Sequence, residues 1–295
     1  MTASSVSSSS CSALTELAGE PLAGSAPHIA VWIGIEHPGA WGPKALTSLP
    51  EEISYSAIKL ASHELINVLA LRAPGRSLGD RVTRRKVFIS FASLTHTWSV
   101  VREFDSDQDV ATSLDALDVG GLTAGKILDW SPVDEPMVWI CTNGKRDACC
   151  AVMGRKLVDD LLDDSDLWEC SHIGGHRFAP TVLILPDGLI LGNASAADVL
   201  NAVEGQPRAE TIRGRSYLHP AAQAAQVAML GDLPYSQLTT VDLTLTGSQA
   251  TVTLNQVWEV HLEQVEHPHP SPASCNGEPD RRTCWLVTSS GKIVP

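Results

Sequence analysis

Two stretches decide the reading of this chain: MVWICTNGKRDACCAVMGRKLVDDLL at residues 137–162 and WECSHIGGHRFAPTVLILPDGLILG at residues 168–192. MVWI (137–140) is a short apolar strand, and CTNGKRDACC (141–150) is a loop with Asn-Gly at its turn. AVMGRKLVDDLL (151–162) is an amphipathic helix with Val152, Met153, Leu157 and Leu161 as its inward stripe. Trp168 to Cys170 is a strand, and residues 171–180 form a glycine-containing loop. TVLILPDGLILG (181–192) makes two strands joined by Pro186-Asp187-Gly188. A helix follows over 196–204. The order is β-α-β-β-β-α. A proline directly before the third strand, Pro180, makes the pattern similar to the thioredoxin fold, where that proline is cis.

A second strand–loop–helix pattern lies upstream. HIAVWIGIEH (28–37), between Pro27 and Pro38, is a buried strand. Ile58, Ala61, Leu65, Val68 and Leu69 predict one helix over 54–71, ended by Pro74-Gly75. Residues 86–92 and 97–102 are strands, and the acidic 105–118 is a connection with a short helix. The parallel openings of the two halves suggest a degenerate duplication. Downstream, 221–230 is a helix. Alternation at Val241, Leu243, Leu245 and then Val252, Leu254, Val257 and Val260 indicates an antiparallel β segment. The expected organisation is α/β. A disordered Ser-rich tail occupies 1–20, an α/β half 21–131, a thioredoxin-like domain 132–232 and a β-rich segment 233–295.

With 295 residues, 43% hydrophobic and 19% charged, the chain has the makings of a globular core. No apolar run reaches the ~20 residues that span a bilayer. The N-terminus has neither a basic nor an apolar leader region, so a cytoplasmic setting is expected. A net charge of −13 repels phosphate backbones, which argues against nucleic acid as a partner. Against that background Arg72, Arg76, Arg81, Arg84, Arg85 and Lys86 cluster. They form either a solvated strand edge or a docking patch for an anion.

Chemistry concentrates in Cys141-x8-Cys150 and His172-x3-His176, with Cys149 a substitute for Cys150. Gly174 and Gly175 let the second loop turn so that both imidazoles face one point. Two thiolates and two imidazoles suit zinc or a 2Fe–2S cluster with mixed ligands. The third choice is a metal-free thiol redox site. Cys150, opening a helix, is expected to favour its thiolate. Lys145, Arg146 and Asp147 are expected in solvent, with Asn143 or Asp147 able to hydrogen-bond a ligand. Cys275 and Cys284, with His267 and His269 upstream, form a second candidate group, more simply a loop pair beside a mobile loop. Cys170 is a core strand position and Cys11 incidental. Glu36, His37 and Trp41 end the first strand, where His37 packs over a centre or joins the halves. Arg177 either makes a surface ion pair or offsets the charge of a reduced centre.

CTNGKRDACCAVMGRKL followed by WECSHIGGHRFAPTVLILPDGLILG resembles the sucrase/ferredoxin-like family, which includes bacterial proteins and the fungal actin-patch-distribution proteins. LAGSAPHIAVWIGIEHPGAWG and RGRSYLHPAAQAAQ extend the likeness over roughly residues 11–230. The resemblance implies a thioredoxin-like ferredoxin whose 2Fe–2S cluster is held by Cys141, Cys150, His172 and His176. It implies an electron carrier for a partner protein rather than a catalyst with its own substrate, with electron transfer coupled to protonation at His172 or His176. No motif places a carboxylate pair for glycoside hydrolysis. The alternatives are a zinc-stabilised interaction module and a cysteine-based thiol oxidoreductase.

Overall fold

The computed structural model describes residues 10–75, 84–162 and 166–293. The first described segment corrects the expectation of a tail to residue 20. Helix α1 spans Cys11–Ala18, capped by the Ser10 hydroxyl, which accepts from the Ala13 N–H, and closed by Gly19. The Ser-rich residues 1–9 lie outside the described residues.

Strand β1 (Val31–Glu36) is buried along its whole length, as a run without alternation requires when both faces are covered. The helix expected over 54–71 is instead a helix and a strand, α2 (Glu51–Ala61) and β2 (Ile66–Arg72). Apolar residues at helical spacing continue by coincidence across the turn at Ser62-His63. Burial of both faces of the β2 stretch decides for a strand, and Ile58, assigned inward, is exposed. Strands β3 (Arg85–Ala92) and β4 (Thr97–Phe104) follow, then α3 (Asp107–Asp115), α4 (Val119–Thr123) and the short edge strand β5 (Ser131–Pro132).

The second half opens with β6 (Met137–Cys141). The chain then makes a π-helical turn over Cys150–Gly154 that continues as α5 (Arg155–Leu161). That wider turn corrects the inward stripe: Leu157 and Leu161 are buried, but Val152 is rotated out to 38% exposure. Strands β7 (Asp166–Cys170), β8 (Val182–Leu185) and β9 (Leu189–Leu191), helix α6 (Ala196–Val203) and strand β10 (Ile212–Arg215) complete it. The Ala179–Pro180 peptide before β8 is cis.

One ten-stranded sheet carries both halves, in the order β10-β9-β8-β6-β7-β2-β1-β3-β4-β5. In each half the first strand runs parallel to the second and antiparallel to the third, and the third and fourth form a hairpin. This is the strand arrangement of the thioredoxin fold, present twice. The halves meet where β2 pairs antiparallel with β7, through Leu71 opposite Cys170 and Arg72 opposite Glu169. Helix α7 (Pro220–Ala228) then leads to a second, four-stranded antiparallel sheet. It comprises β11 (Val241–Thr246), β12 (Gln249–Leu254), β13 (Trp258–Glu266) and the last strand. A small hairpin of β14 (Ser271–Pro272) and β15 (Pro279–Asp280) precedes that last strand, β16 (Thr283–Lys292). The buried face of α7 packs against this sheet through Ala222, Ala225, Val252 and Leu262. Among the described residues no helix is long and apolar enough to cross a membrane.

Among the described residues of the basic cluster, the arginines are paired with acids. Arg72 is buried against Glu169, Arg84 pairs with Asp105 and Glu103, and Arg85 pairs with Asp107. Arg76 and Arg81 lie outside the described residues.

The Arg72–Glu169 pair is the polar join between the halves. Its oxygen and nitrogen stand 2.6 Å apart with side chains 8% and 11% exposed, and the Thr142 hydroxyl donates to the same carboxylate oxygen. The Arg72 guanidinium also lies over the Trp41 ring at 4.3 Å. Removing one partner of a buried pair strands the other charge. Arg72→Met is therefore expected to lower the unfolding free energy by about 3–5 kcal/mol. Arg72→Met/Glu169→Leu is expected to recover most of that loss in denaturant unfolding. Equal losses in the single and double variants would show that the pair does not couple the halves.

Candidate metal centre

Cys141 ends β6 and is fully buried, and Cys150 begins the π-helical turn that packs back over it. The close return depends on Gly154, where a Cβ would lie against the carbonyl oxygen of Cys141. His172 sits in the loop after β7. The sulfurs of Cys141 and Cys150 and a ring nitrogen of His172 all lie within 4.8 Å of one another. His176, at the start of a short 3-10 turn, stands one step outside this trio. Its ring lies 4.7 Å from that of His172, tilted by 35°. The Nδ1 atoms of both histidines are buried without a hydrogen-bond partner.

The loop that carries the histidines is shaped by Gly174 and Gly175, at φ 107° and 70°, a region that suits glycine. A Cβ on Gly175 would run into the guanidinium of Arg213. That arginine is fully buried. It donates to the Gly174 carbonyl at 2.7 Å and to the hydroxyl and carbonyl of Ser25. These acceptors are neutral, so the thiols of Cys141 and Cys150 lie within the field of a buried cation. The sequence reading passed over Arg213. Its only signal was an arginine inside an otherwise buried strand. Arg177, by contrast, pairs with Glu20 at 2.6 Å and stacks on Phe178.

Charge within the trio is settled by hydrogen bonding. The Cys150 thiol donates to the Cys141 sulfur, and His172 and the Asn143 N–H add to that support. Cys141 is held well below the usual thiol range despite its burial. Cys150 is pushed well above it, by the same bond and then by burial. The expected thiolate at the helix start is thus corrected: the shared hydrogen bond favours ionisation at Cys141, its acceptor, and disfavours it at Cys150. Burial and then the neighbouring His172 lower His176, so its imidazole is neutral at pH 7.

Cys149 does not stand in for Cys150. The two side chains leave the same turn in different directions, and Cys149 joins Cys11, Cys275 and Asp147. Four expectations change with that. Cys11 is buried on α1 rather than incidental. Asp147 is buried rather than solvated. Cys275 is parted from Cys284, which lies on β16 opposite Val265. His267 and His269 contact each other, and neither belongs to this group. Cys170 is a core position, as expected. In the first half, the loop after β1 reaches the Cys141 loop through Gly42, whose carbonyl accepts from the Asn143 amide at 3.1 Å, and through Trp41 over Arg72. His37 caps β2 with its backbone N–H on the Leu71 carbonyl.

Among known protein families, the family model described as sucrase/ferredoxin-like matches residues 22–220. No curated protein and no solved structure matches the chain.

The tight return of the π-turn onto β6 gives a direct test. Gly154→Ala is expected to cost about 1–3 kcal/mol of stability, since the obstructing atom is backbone and cannot rotate away. Gly231→Ala, where a Cβ meets open space, serves as the control. Denaturant unfolding of the two variants reads the difference, and equal stabilities would contradict the close approach.

Proposed function

The chain belongs to the sucrase/ferredoxin-like family, and on that premise we propose that Cys141, Cys150, His172 and His176 hold a 2Fe–2S cluster and that the protein carries single electrons for a partner protein. One observation carries the reading. Two thiols and an imidazole converge within 4.8 Å, a second imidazole lies alongside, and both Nδ1 atoms are buried with nothing to bond. An unsatisfied buried polar atom costs about 1–3 kcal/mol, which a metal–nitrogen bond removes. When bound, such a cluster accepts and releases one electron, at a potential raised by imidazole in place of thiolate.

The chain supplies the rest. Cys141 offers a thiolate, and His176 a neutral imidazole, the form in which each binds a metal. Burial of both cysteines keeps water from the sulfurs. Arg213 sets a fixed positive charge beside them, which favours the more negative, reduced state. The Nε2 of His176 lies 3.9 Å from an Asp147 oxygen, so a proton held at that nitrogen faces a carboxylate. Electron gain and proton uptake then reinforce each other.

A second reading has an observation in its favour. The closeness of the Cys141–Cys150–His172 trio also suits a single tetrahedral zinc. Chemical analysis of anaerobically purified protein separates the two. About two irons and two sulfides per chain, with a mixed-ligand EPR signal after reduction, are expected. Zinc without sulfide would make the centre a structural clamp. His176→Cys is expected to keep the cluster and lower its potential. An unchanged potential would remove His176 from the ligand set.

A further inference from the structure

Beside this centre, and sharing none of its ligands, lies a second convergence of metal-binding side chains. Cys11 comes from α1, Asp147 and Cys149 from the loop after β6, and Cys275 from the loop between β14 and β15. The three sulfurs form a near-equilateral triangle with edges of 3.5 Å (Cys11–Cys149), 3.2 Å (Cys149–Cys275) and 3.6 Å (Cys275–Cys11). An Asp147 oxygen closes the figure, 3.6 Å from the Cys11 sulfur and 3.2 Å from that of Cys275.

We propose that Cys11, Cys149, Cys275 and Asp147 form a second metal site, a closed tetrahedral Cys3Asp centre for a divalent borderline-soft cation, zinc foremost. The dimensions argue for one ion. A metal about 2.3 Å from each sulfur spaces tetrahedral ligands about 3.8 Å apart, so the triangle here, with edges of 3.2–3.6 Å, needs to open by no more than about 0.6 Å to hold one. A disulfide would draw two sulfurs to about 2 Å and leave the third thiol and the carboxylate unused. All three cysteines are free.

The surroundings are those of a built site. The Cys149 N–H holds one Asp147 oxygen at 2.9 Å, and the Cys275 N–H holds the other at 2.8 Å. The Ser12 hydroxyl donates to the Cys149 sulfur at 3.3 Å. Supports of this kind fix ligand orientation around a metal. Cys149 and Asp147 are 2% and 4% exposed. A carboxylate packed among three thiols in so dry a place gains from a divalent cation. The ion would join α1 and the C-terminal hairpin loop to the loop that carries Cys150. Its role is that of a clamp, closing both ends of the chain over the first centre. Glu20 already works in that direction, accepting from Ser271 and pairing with Arg177. Cys11 and Cys275 both lie outside the stretch that matches the family, residues 22–220.

The test is metal analysis of the full chain, purified anaerobically, with Cys11→Ser, Cys275→Ser, Cys284→Ser and Cys141→Ser variants. About one zinc per chain is expected at this site in the unaltered protein. Cys11→Ser and Cys275→Ser should each weaken zinc retention against a chelator by more than about tenfold and leave iron content unchanged. Cys284→Ser should retain zinc, and Cys141→Ser should lose iron yet keep this zinc. Should a serine variant fail to fold, cobalt exchanged into the unaltered chain should show the visible band of a tetrahedral thiolate site. Four results would overturn the proposal. One is folded protein that takes up neither zinc nor cobalt, and another is zinc retention unchanged in both Cys11→Ser and Cys275→Ser. The third is zinc lost through Cys141→Ser alone, and the fourth a disulfide among these cysteines in the anaerobic protein. Absence of iron and sulfide would refute the cluster at Cys141 and leave this site standing.

Discussion

The pairing of β2 with β7 is the contact on which the rest of the molecule depends. Only two residue pairs register across it. Yet it turns two five-stranded units into one continuous sheet and removes an exposed edge from each. The Arg72–Glu169 pair locks that register from inside. Because Thr142 directly follows Cys141, the same polar contact also anchors the strand end that carries Cys141. The join between the halves and the site are one construction.

Electrostatics explains the division of labour around that strand end. Thiols brought together in a dry interior cannot all ionise. Hydrogen bonds favour ionisation at Cys141 over Cys150 in the first group, and the buried guanidinium of Arg213 interacts favourably with both sulfurs. In the second group Asp147 is held by two backbone N–H donors amid three sulfurs. The π-helical turn at Cys150 lets adjacent cysteines serve different surroundings, Cys149 with α1 and the C-terminal hairpin, Cys150 with β6. A cluster in one and a single ion in the other would place an electron carrier beside a clamp.

Much of the architecture was legible from short-range pattern. The β-α-β-β-β-α order of the second half, the short strand leading into Cys141, the glycine loop between the histidines and the proline before β8 follow from periodicity and turn chemistry. Local pattern misled where two elements share a spacing. Apolar residues run through the turn from α2 into β2 at helical intervals, and only burial on both faces distinguishes the strand. It misled again at Val152, because the sequence carries no mark of a π-turn.

The amino-acid order by itself determined the α/β class, the repeated opening of the two halves and the two short stretches that carry Cys141, Cys149, Cys150, His172 and His176. Those are consequences of residues within a few positions of one another. The tertiary structure alone decided that Cys11 and Cys275, at opposite ends of the chain, meet Cys149 and Asp147, and that Cys275 leaves Cys284. It also decided that Arg213 lies under the histidine loop. Such contacts come from the docking of a terminal helix, a terminal hairpin and a sheet edge. Their geometry is set by packing between elements, which leaves no periodic trace in any one of them.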